Sequence, residues 1–166
     1  MKNLSQTISC FFIIATLLLF SCGNNQSEIS KEFNCNSVKS KNLETVKDIK
    51  NLFSIQLPSN WKINLYQDEI QSSIFAADTT KQLSETVLID VTFINREIDF
   101  NEAFLIKQEQ ENLTKKLIKI KSSKILVLDK PSVYTIYKGK KGELDYQTCH
   151  LFIKLNPQNF IFAKTE

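Results

Sequence analysis

Residues 86–95 read TVLIDVTFIN, and apolar side chains recur at every second position through this stretch. Successive side chains of an extended chain point to opposite faces, so alternate positions share one face. One face of this strand is fully apolar and consists of Val87, Ile89, Val91 and Phe93. Leu88 and Ile94 make the other face partly apolar. This pattern predicts a central strand in a sheet that is covered on at least one side.

The segment before this strand predicts a pair of strands joined as a hairpin. Residues 52–67, LFSIQLPSNWKINLYQ, contain a short alternating run, a turn at 58–60 and a second alternating run. In the second run Trp61, Ile63 and Leu65 fall on one side, with polar residues between them. Alternation of this kind on both sides of a proline-containing turn is typical of a hairpin.

The segment after it changes to a helical pattern over residues 99–117, DFNEAFLIKQEQENLTKKL. Asp99 with Glu102 three residues later predicts a capping box at the helix start. An apolar stripe near this start consists of Phe100, Ala103, Phe104 and Ile106. Further strands are predicted at 72–78, 117–121, 124–129, 132–139, 143–155 and 159–165. Several antiparallel strands interrupted by one helix indicate an α+β fold, an antiparallel β-sheet with a flanking helix.

The chain of 166 residues has room for one domain, which we expect at 47–166. Residues 22–46 are rich in Asn, Ser, Lys and Glu, and this composition predicts a flexible tether. Before them, Lys2 precedes an apolar run of about ten residues, whereas a membrane-spanning helix needs about 17–25. A basic start and a short apolar region are typical of a secretory signal peptide, which we place at 1–21.

The end of this leader, Leu19-Phe20-Ser21-Cys22, resembles the lipobox of bacterial lipoproteins. The resemblance implies cleavage between Ser21 and Cys22 and acylation of the Cys22 thiol, although Phe20 is bulkier than the usual residue. Each buried acyl CH₂ contributes about 0.8 kcal/mol, so several chains form a stable membrane anchor. We therefore expect a lipid-anchored protein of the cell envelope, at the periplasmic face or the outer membrane. The alternative is a conventional signal peptide in which the cysteine is incidental.

The stretch FSIQLPSNWK, residues 53–62, followed by a long strand, one helix and a run of strands, resembles the PsbP-like superfamily. That superfamily also includes the Ran-binding Mog proteins and many bacterial lipoproteins. The resemblance implies an antiparallel sheet flanked by helices and a role in binding or assembly, without a shared catalytic set. Its members usually close with a C-terminal helix on the sheet, whereas we expect residues 163–166 to end a final strand. We therefore expect either a sequence that is a fragment or a sheet face that something else covers.

Cys149 and His150 are neighbours and suggest a thiol nucleophile with its base. Neighbours in a strand point to opposite faces, so these two side chains cannot form a dyad. His150 shares its face with Tyr146, Thr148 and Phe152, which favours a partly buried histidine over a ligand or catalytic residue. It is the single histidine of the chain, which excludes a multi-histidine metal centre. We predict no catalytic residue, no metal ligand and no cofactor.

A basic stretch follows the predicted helix and consists of Lys115, Lys116, Lys119, Lys121 and Lys124. Lys119 and Lys121 alternate with isoleucines, as on the outer face of an edge strand, where lysines block unwanted strand pairing. The alternative is a surface for anionic lipid or polysaccharide. The formal net charge of +3 and the lack of interleaved aromatics do not support a nucleic-acid partner. GKKG, residues 139–142, is predicted to be a hairpin turn, because a phosphate loop needs a longer glycine spacing.

Other polar and aromatic residues give weaker indications. Cys35, in the predicted tether, could pair with Cys149 in an oxidising compartment. Asp90 and Asp145 fall in the middle of predicted strands and could face one another across the sheet. Aromatic residues that could line a pocket are Trp61, Tyr66, Tyr134, Tyr137 and Tyr146, although Trp61, after a turn, fits the core better.

These observations predict a lipid-anchored cell-envelope module that binds or helps to assemble a protein partner and has no catalysis of its own. One alternative is an envelope enzyme with a dispersed site near His150. The other is a surface module that binds anionic lipid or polysaccharide through the lysines of residues 115–124.

Overall fold

The computed structural model describes residues 28–33 and 42–166. Its helices and strands, in chain order, are α1 (Glu28–Glu32), β1 (Leu43–Lys47), β2 (Ser54–Pro58), β3 (Lys62–Gln67), β4 (Gln71–Ala77), β5 (Leu88–Ile94), α2 (Glu102–Thr114), β6 (Ile118–Val127), β7 (Lys130–Lys141), β8 (Leu144–Asn156) and β9 (Asn159–Thr165). The predicted α+β class is confirmed, because an antiparallel sheet carries one flanking helix of 13 residues. None of the helices within the described ranges is long and apolar enough to cross a membrane.

Seven strands form the main sheet in the order β3-β4-β5-β9-β8-β7-β6, and every neighbouring pair is antiparallel. Strand β9 lies between β5 and β8, so it joins a three-stranded unit formed early in the chain to one formed late. The predicted inner position of β5 is confirmed, because β4 and β9 flank it on its two sides. The connection from β5 to β6 contains α2, which packs on one face of this sheet.

The two faces of the main sheet are covered by different elements. On the helix face, Phe104 of α2 packs against Phe152 of β8 with ring centroids 5.1 Å apart. On the opposite face, which we call the hairpin face, Leu57 of β2 forms a buried cluster with Ile74 and Ala76 of β4. Burial of apolar surface on both faces holds the layers together, because it removes that surface from water.

The predicted hairpin at 52–67 is wrong, because its two strands belong to different sheets. Strand β2 pairs with β1 in a separate two-stranded sheet, and β3 pairs with β4 at the edge of the main sheet. The turn at 58–61 is present, with the Trp61 N–H donating to the Pro58 carbonyl at 3.1 Å. Alternation predicted each strand, but it does not specify the pairing partner.

The domain also begins earlier than the predicted boundary at Lys47. Strand β1 covers Leu43–Lys47, and α1 covers Glu28–Glu32, so both lie wholly or mostly within the predicted tether. The exposure of β1 explains why its sequence does not alternate like a strand. Only Val46 of its five residues is partly buried. A strand that is exposed on most positions needs no apolar alternation.

A buried carboxylate fastens the β1–β2 connection to the main sheet. Asp48 accepts hydrogen bonds from the N–H groups of Lys50, Leu52 and Phe53, and from the Ser72 hydroxyl of β4 at 2.7 Å. Burial opposes the charge of Asp48, but the donors outweigh it and lower the pKa of this carboxyl. The β1–β2 hairpin is therefore held to the main sheet by the hydrogen bond between Ser72 and Asp48 as well as by the apolar cluster around Leu57.

The helix prediction is confirmed, but its start is different. Asn101, and not Asp99, is the N-cap, because its side chain accepts from the Phe104 N–H at 2.9 Å. Asp99 lies outside the helix and pairs with Lys154 of β8 at 3.1 Å. Asn is among the best N-cap residues, since its side-chain oxygen satisfies an unpaired N–H of the first turn.

Two of the late strands, β6 and β7, are longer than predicted. Residues 117–121 and 124–129 were predicted as separate strands, but they form the single edge strand β6. Gly139 lies inside β7 rather than in a turn, and Gly142, with a φ of 64°, supplies the left-handed residue of the turn that follows. The predicted final strand is confirmed as β9.

Candidate functional site

A cleft of about 630 Å³ opens between α2 and the helix face of the sheet. We call it the helix-side cleft. Its apolar walls include Phe104, Phe152, Phe160 and Phe162, and Phe152 stacks on Phe162 with ring centroids 4.7 Å apart. Its rim carries charges of both signs, on Arg96, Glu97, Asp99, Lys107, Glu111 and Lys115. The cleft therefore combines an aromatic interior with a polar rim, as ligand and partner sites commonly do.

His150 lines this cleft from strand β8 and is only 5% exposed. Its ring lies 5.1 Å from that of Tyr137 and 5.5 Å from that of Phe162. Burial lowers the pKa of His150 to about 4, and the positive charges of Lys164 and Lys115 act in the same direction. The imidazole is therefore neutral at neutral pH.

Three buried polar atoms beneath α2 have no hydrogen-bond partner among the described residues: Asn112 Oδ1, Thr148 Oγ1 and His150 Nε2. Asn112 is the one buried residue of α2, and its amide donates to the Gln108 carbonyl at 2.7 Å, which leaves the oxygen without a donor. A buried polar group without a partner costs about 1–3 kcal/mol. Such groups call for a bound water, ligand or partner group that supplies the missing hydrogen bonds.

The sequence pattern singles out His150, but it does not show that Asn112 and Thr148 also carry buried polar atoms without partners. The spacing of Phe104, Gln108 and Asn112 at four-residue intervals places them on one helix face, which was the available signal. Thr148 lies two residues before His150 and so shares its face of β8. Their lack of partners depends on how α2 lies over the sheet, and no local pattern reports this.

Cys149 and His150 point to opposite faces of β8, as the strand alternation predicted. Their cross-strand neighbours on β7 are Ile136 and Thr135, which also lie on opposite faces. Cys149 is half-buried and has no disulfide partner among the described residues, and burial raises the pKa of its thiol, which disfavours a reactive thiolate. Cys35 lies outside the described residues.

The five predicted surface lysines do not share one face. A β-bulge between Lys119 and Lys121 changes the register, so their partners on β7 are the adjacent residues Tyr137 and Ile136. Adjacent strand residues point to opposite faces, so the expectation of a shared outer face for Lys119 and Lys121 is wrong. Lys119 pairs with Glu109 of α2, on the helix face.

On the hairpin face, Lys121 pairs with Glu32 of α1 at 2.6 Å. Two of the five lysines are thus neutralised by carboxylates on opposite sides of the edge strand. Lys124 lines a shallow cleft with Glu28 and Leu126 near the end of β6. Lys115 and Lys116 follow the C-terminus of α2, and Lys116 has a left-handed backbone with φ 60°.

The other predicted groups are separated by the fold. Asp90 is paired with Lys164 in the strand register, whereas Asp145 forms an ion pair with Lys140 at 3.6 Å, so the two carboxylates do not face one another. The aromatics do not line a common pocket: Tyr134 and Tyr137 lie on opposite faces, Tyr66 is exposed, and Tyr146 lines a different cleft. Trp61 packs against the Leu57 cluster, as predicted.

Ser21 and Cys22 lie outside the described residues, and their cleavage and acylation stay predictions. Within the described part of the chain, no group of three or more His, Cys, Asp or Glu side chains is placed to hold a metal ion.

Comparison with known proteins assigns no family. Neither the family models nor the curated proteins contain a match to this chain. Among solved structures, the chain is similar to PA94 from Pseudomonas aeruginosa, a protein of unknown function, at 15% sequence identity and a TM-score of 0.42. The alignment covers 75% of this chain and 83% of PA94.

Proposed function

We propose that the protein is a lipid-anchored binding module of the cell envelope, without catalysis of its own, and that its partner occupies the helix-side cleft. The anchor is supported by the lipobox-like sequence that ends at Cys22. A PsbP-like relationship is part of the proposal and is supported by the Phe53–Trp61 motif and the order of elements.

Binding is favoured over catalysis by the surroundings of His150. A general base needs a pKa near the working pH, whereas this imidazole titrates at about 4. Its Nε2 atom has no carboxylate or other hydrogen-bond partner among the described residues, so no dyad is formed through that atom. The neighbouring Cys149 thiol points to the opposite face.

The observation that carries the proposal is that two of the three unpartnered buried polar atoms, Asn112 Oδ1 and His150 Nε2, belong to residues that line the aromatic cleft. An apolar or aromatic group that ends in a hydrogen-bonding atom would match both features, because it would bury against phenylalanines and satisfy buried polar groups. A protein partner presents such groups as side chains. We therefore propose a protein partner that inserts a side chain between α2 and the sheet.

Photo-crosslinking in intact cells tests this proposal. A photoreactive phenylalanine analogue replaces Lys107, which lines the helix-side cleft, and in a matched variant it replaces the exposed Gln110 of the same helix. We expect a discrete protein adduct from position 107 and little or none from position 110. Equal adducts from both positions, or none from either in acylated protein, would contradict binding in the cleft.

The anchor is tested separately with Cys22→Ser in the same cells. We expect this variant to remain an uncleaved precursor that takes up no labelled palmitate, because the acylated thiol is absent. Normal maturation and palmitate uptake by the variant would show that Cys22 is not the acylation site.

A further inference from the structure

The turn between β6 and β7 exposes apolar side chains in a strained backbone. Leu128 is 88% exposed, and Leu126, at the end of β6, is 46% exposed. Leu128 and Asp129 have φ values of 50° and 59°. In two-residue hairpin turns with positive φ at both positions, the usual residues are Asn and Gly. A leucine in the left-handed region is unfavourable because its Cβ crowds the following carbonyl oxygen, and an exposed leucine contributes no burial in return. Folding stability therefore does not explain Leu128.

Helix α1 docks beside this turn. The Leu126 N–H donates to the Glu28 carboxylate, which fixes the first residue of α1 to the end of β6. Further along α1, Glu32 accepts from the Tyr134 hydroxyl and pairs with Lys121 at 2.6 Å. These contacts direct α1 so that its N-terminal end, and not its C-terminal end, lies at the β6–β7 turn.

The chain length outside the described residues relates this turn to the proposed anchor. Only residues 23–27 separate Cys22 from Glu28. Six residue steps span at most about 20 Å even when fully extended. An acylated Cys22 would hold the backbone of Glu28 within that distance of the bilayer, and the end of β6 lies next to it because the Leu126 N–H donates to the Glu28 carboxylate.

The charges around the turn suit a lipid surface. Lys124 and Lys130 are both exposed and flank the two leucines. Basic residues are attracted to the surface of an anionic bilayer, and their stems can lie along apolar surface. Two carboxylates are also present: Asp129 lies in the turn itself, and Glu28 is engaged with the Leu126 N–H.

We propose that the β6–β7 turn is a second membrane contact, in which Leu126 and Leu128 enter the headgroup boundary of the bilayer that holds the acylated Cys22. Apolar side chains at such interfaces bury to about 5–10 Å, which the protruding turn can reach. The contact fixes the orientation of the domain, with β7 directed away from the membrane. This inference rests on the proposed anchor at Cys22.

The test uses acylated full-length protein in vesicles of phosphatidylcholine and phosphatidylglycerol with brominated acyl chains, which quench nearby tryptophan. Leu128→Trp reports on the turn, and Leu126→Trp is a second reporter should the first disturb folding. Glu143→Trp is the matched control, because it lies in the next turn, at the other end of the 12-residue strand β7 and about 40 Å away. The parent protein, with Trp61 alone, gives the baseline.

We expect brominated vesicles to reduce the emission of the added tryptophan about twofold at Leu128 or Leu126, and hardly at Glu143, because only the first two would enter the boundary. If all variants float with the vesicles but quenching at Leu128 and Leu126 equals that at Glu143, the contact is refuted and the anchor stands. If the purified protein carries no acyl chain and does not float, the proposed anchor itself has failed.

Discussion

Among single residues, the most informative on the helix face are a few buried polar groups that lie within a layer of aromatic side chains. His150 lies between Tyr137 and Phe162, and the nearby charges of Lys164 and Lys115 further disfavour its protonation. A buried neutral imidazole with an unpartnered nitrogen is a poor stability element. For this reason we propose a role for His150 in binding a partner.

The lowered pKa of His150 predicts a pH-dependent loss of stability. In the unfolded chain the imidazole takes up a proton near its ordinary pKa of 6.5, whereas in the fold it does so only near 4. The unfolded state thus binds more protons in this window, so stability falls as the pH drops from about 6.5 to about 4. We expect the wild-type protein to lose up to about 3 kcal/mol more than His150→Gln over this range.

Urea denaturation at several pH values between 7 and 4 measures this difference. Comparison with His150→Gln is needed because Asp48 and other carboxyls with lowered pKa values also lose stabilising interactions in acid. Parallel pH profiles of the two proteins would contradict the buried neutral state of His150.

The face to which a side chain points was predictable where the strand alternates regularly. It was not predictable where a β-bulge interrupts the alternation. The opposite orientation of Cys149 and His150 followed from alternation alone. The same rule failed for Lys119 and Lys121, because the bulge between them breaks the period of two. Nothing in an alternating Lys-Ile sequence marks where the extra residue falls.

At the scale of elements, strands were easier to predict than their partners. Residues 52–67 do contain β2 and β3, but β2 pairs with a strand whose exposed face gave no sequence signal. Helix α2 was predictable because the spacing of apolar residues changes there from two to between three and four. Its N-cap, however, is Asn101 and not the expected Asp99. Local patterns report burial and turn chemistry, whereas pairing is decided by contacts between distant segments.

The backbone of the β6–β7 turn lowers the folding stability, and the proposed membrane contact would explain why such a turn is kept. Replacing Leu128 with Asn and Asp129 with Gly supplies residues suited to positive φ, so the unfolding free energy should rise by about 1–2 kcal/mol. Leu128→Ala is the control, because it removes the exposed side chain but keeps the strained backbone. Urea denaturation should show a gain only for the double variant; an equal gain for Leu128→Ala would assign the cost to the side chain and not to the backbone.

At the scale of the whole molecule, the fold depends on its last strand. Within the described residues, strand β9 joins the units β3-β4-β5 and β6-β7-β8 into one hydrogen-bonded sheet, because it pairs with β5 on one side and β8 on the other. The β8–β9 ladder is a hairpin between consecutive strands, whereas the β5–β9 ladder forms between segments far apart in sequence. The sequence indicated β9 as a strand, but its place between β5 and β8 could not be inferred from local alternation.

This arrangement predicts that damage to β9 unfolds both halves of the sheet together. Ala163 pairs with Val91 of β5 and with Leu151 of β8, so Ala163→Pro disturbs two ladders. A proline within a central strand fixes φ and removes a ladder hydrogen bond, and the carbonyl that is left unpaired should cost about 1–3 kcal/mol. Asn64→Pro is the matched control, because β3 is an edge strand and Asn64 pairs only with Phe75 of β4.

Hydrogen exchange read by mass spectrometry distinguishes the outcomes. For Ala163→Pro we expect peptides from β4–β5 and from β7–β8 to lose protection together, because neither half retains its neighbour. For Asn64→Pro the loss should be confined to β3 and β4. Retained protection in one half of the Ala163→Pro protein would mean that this half folds without β9, and that the seven strands are two independent units instead of one cooperative sheet.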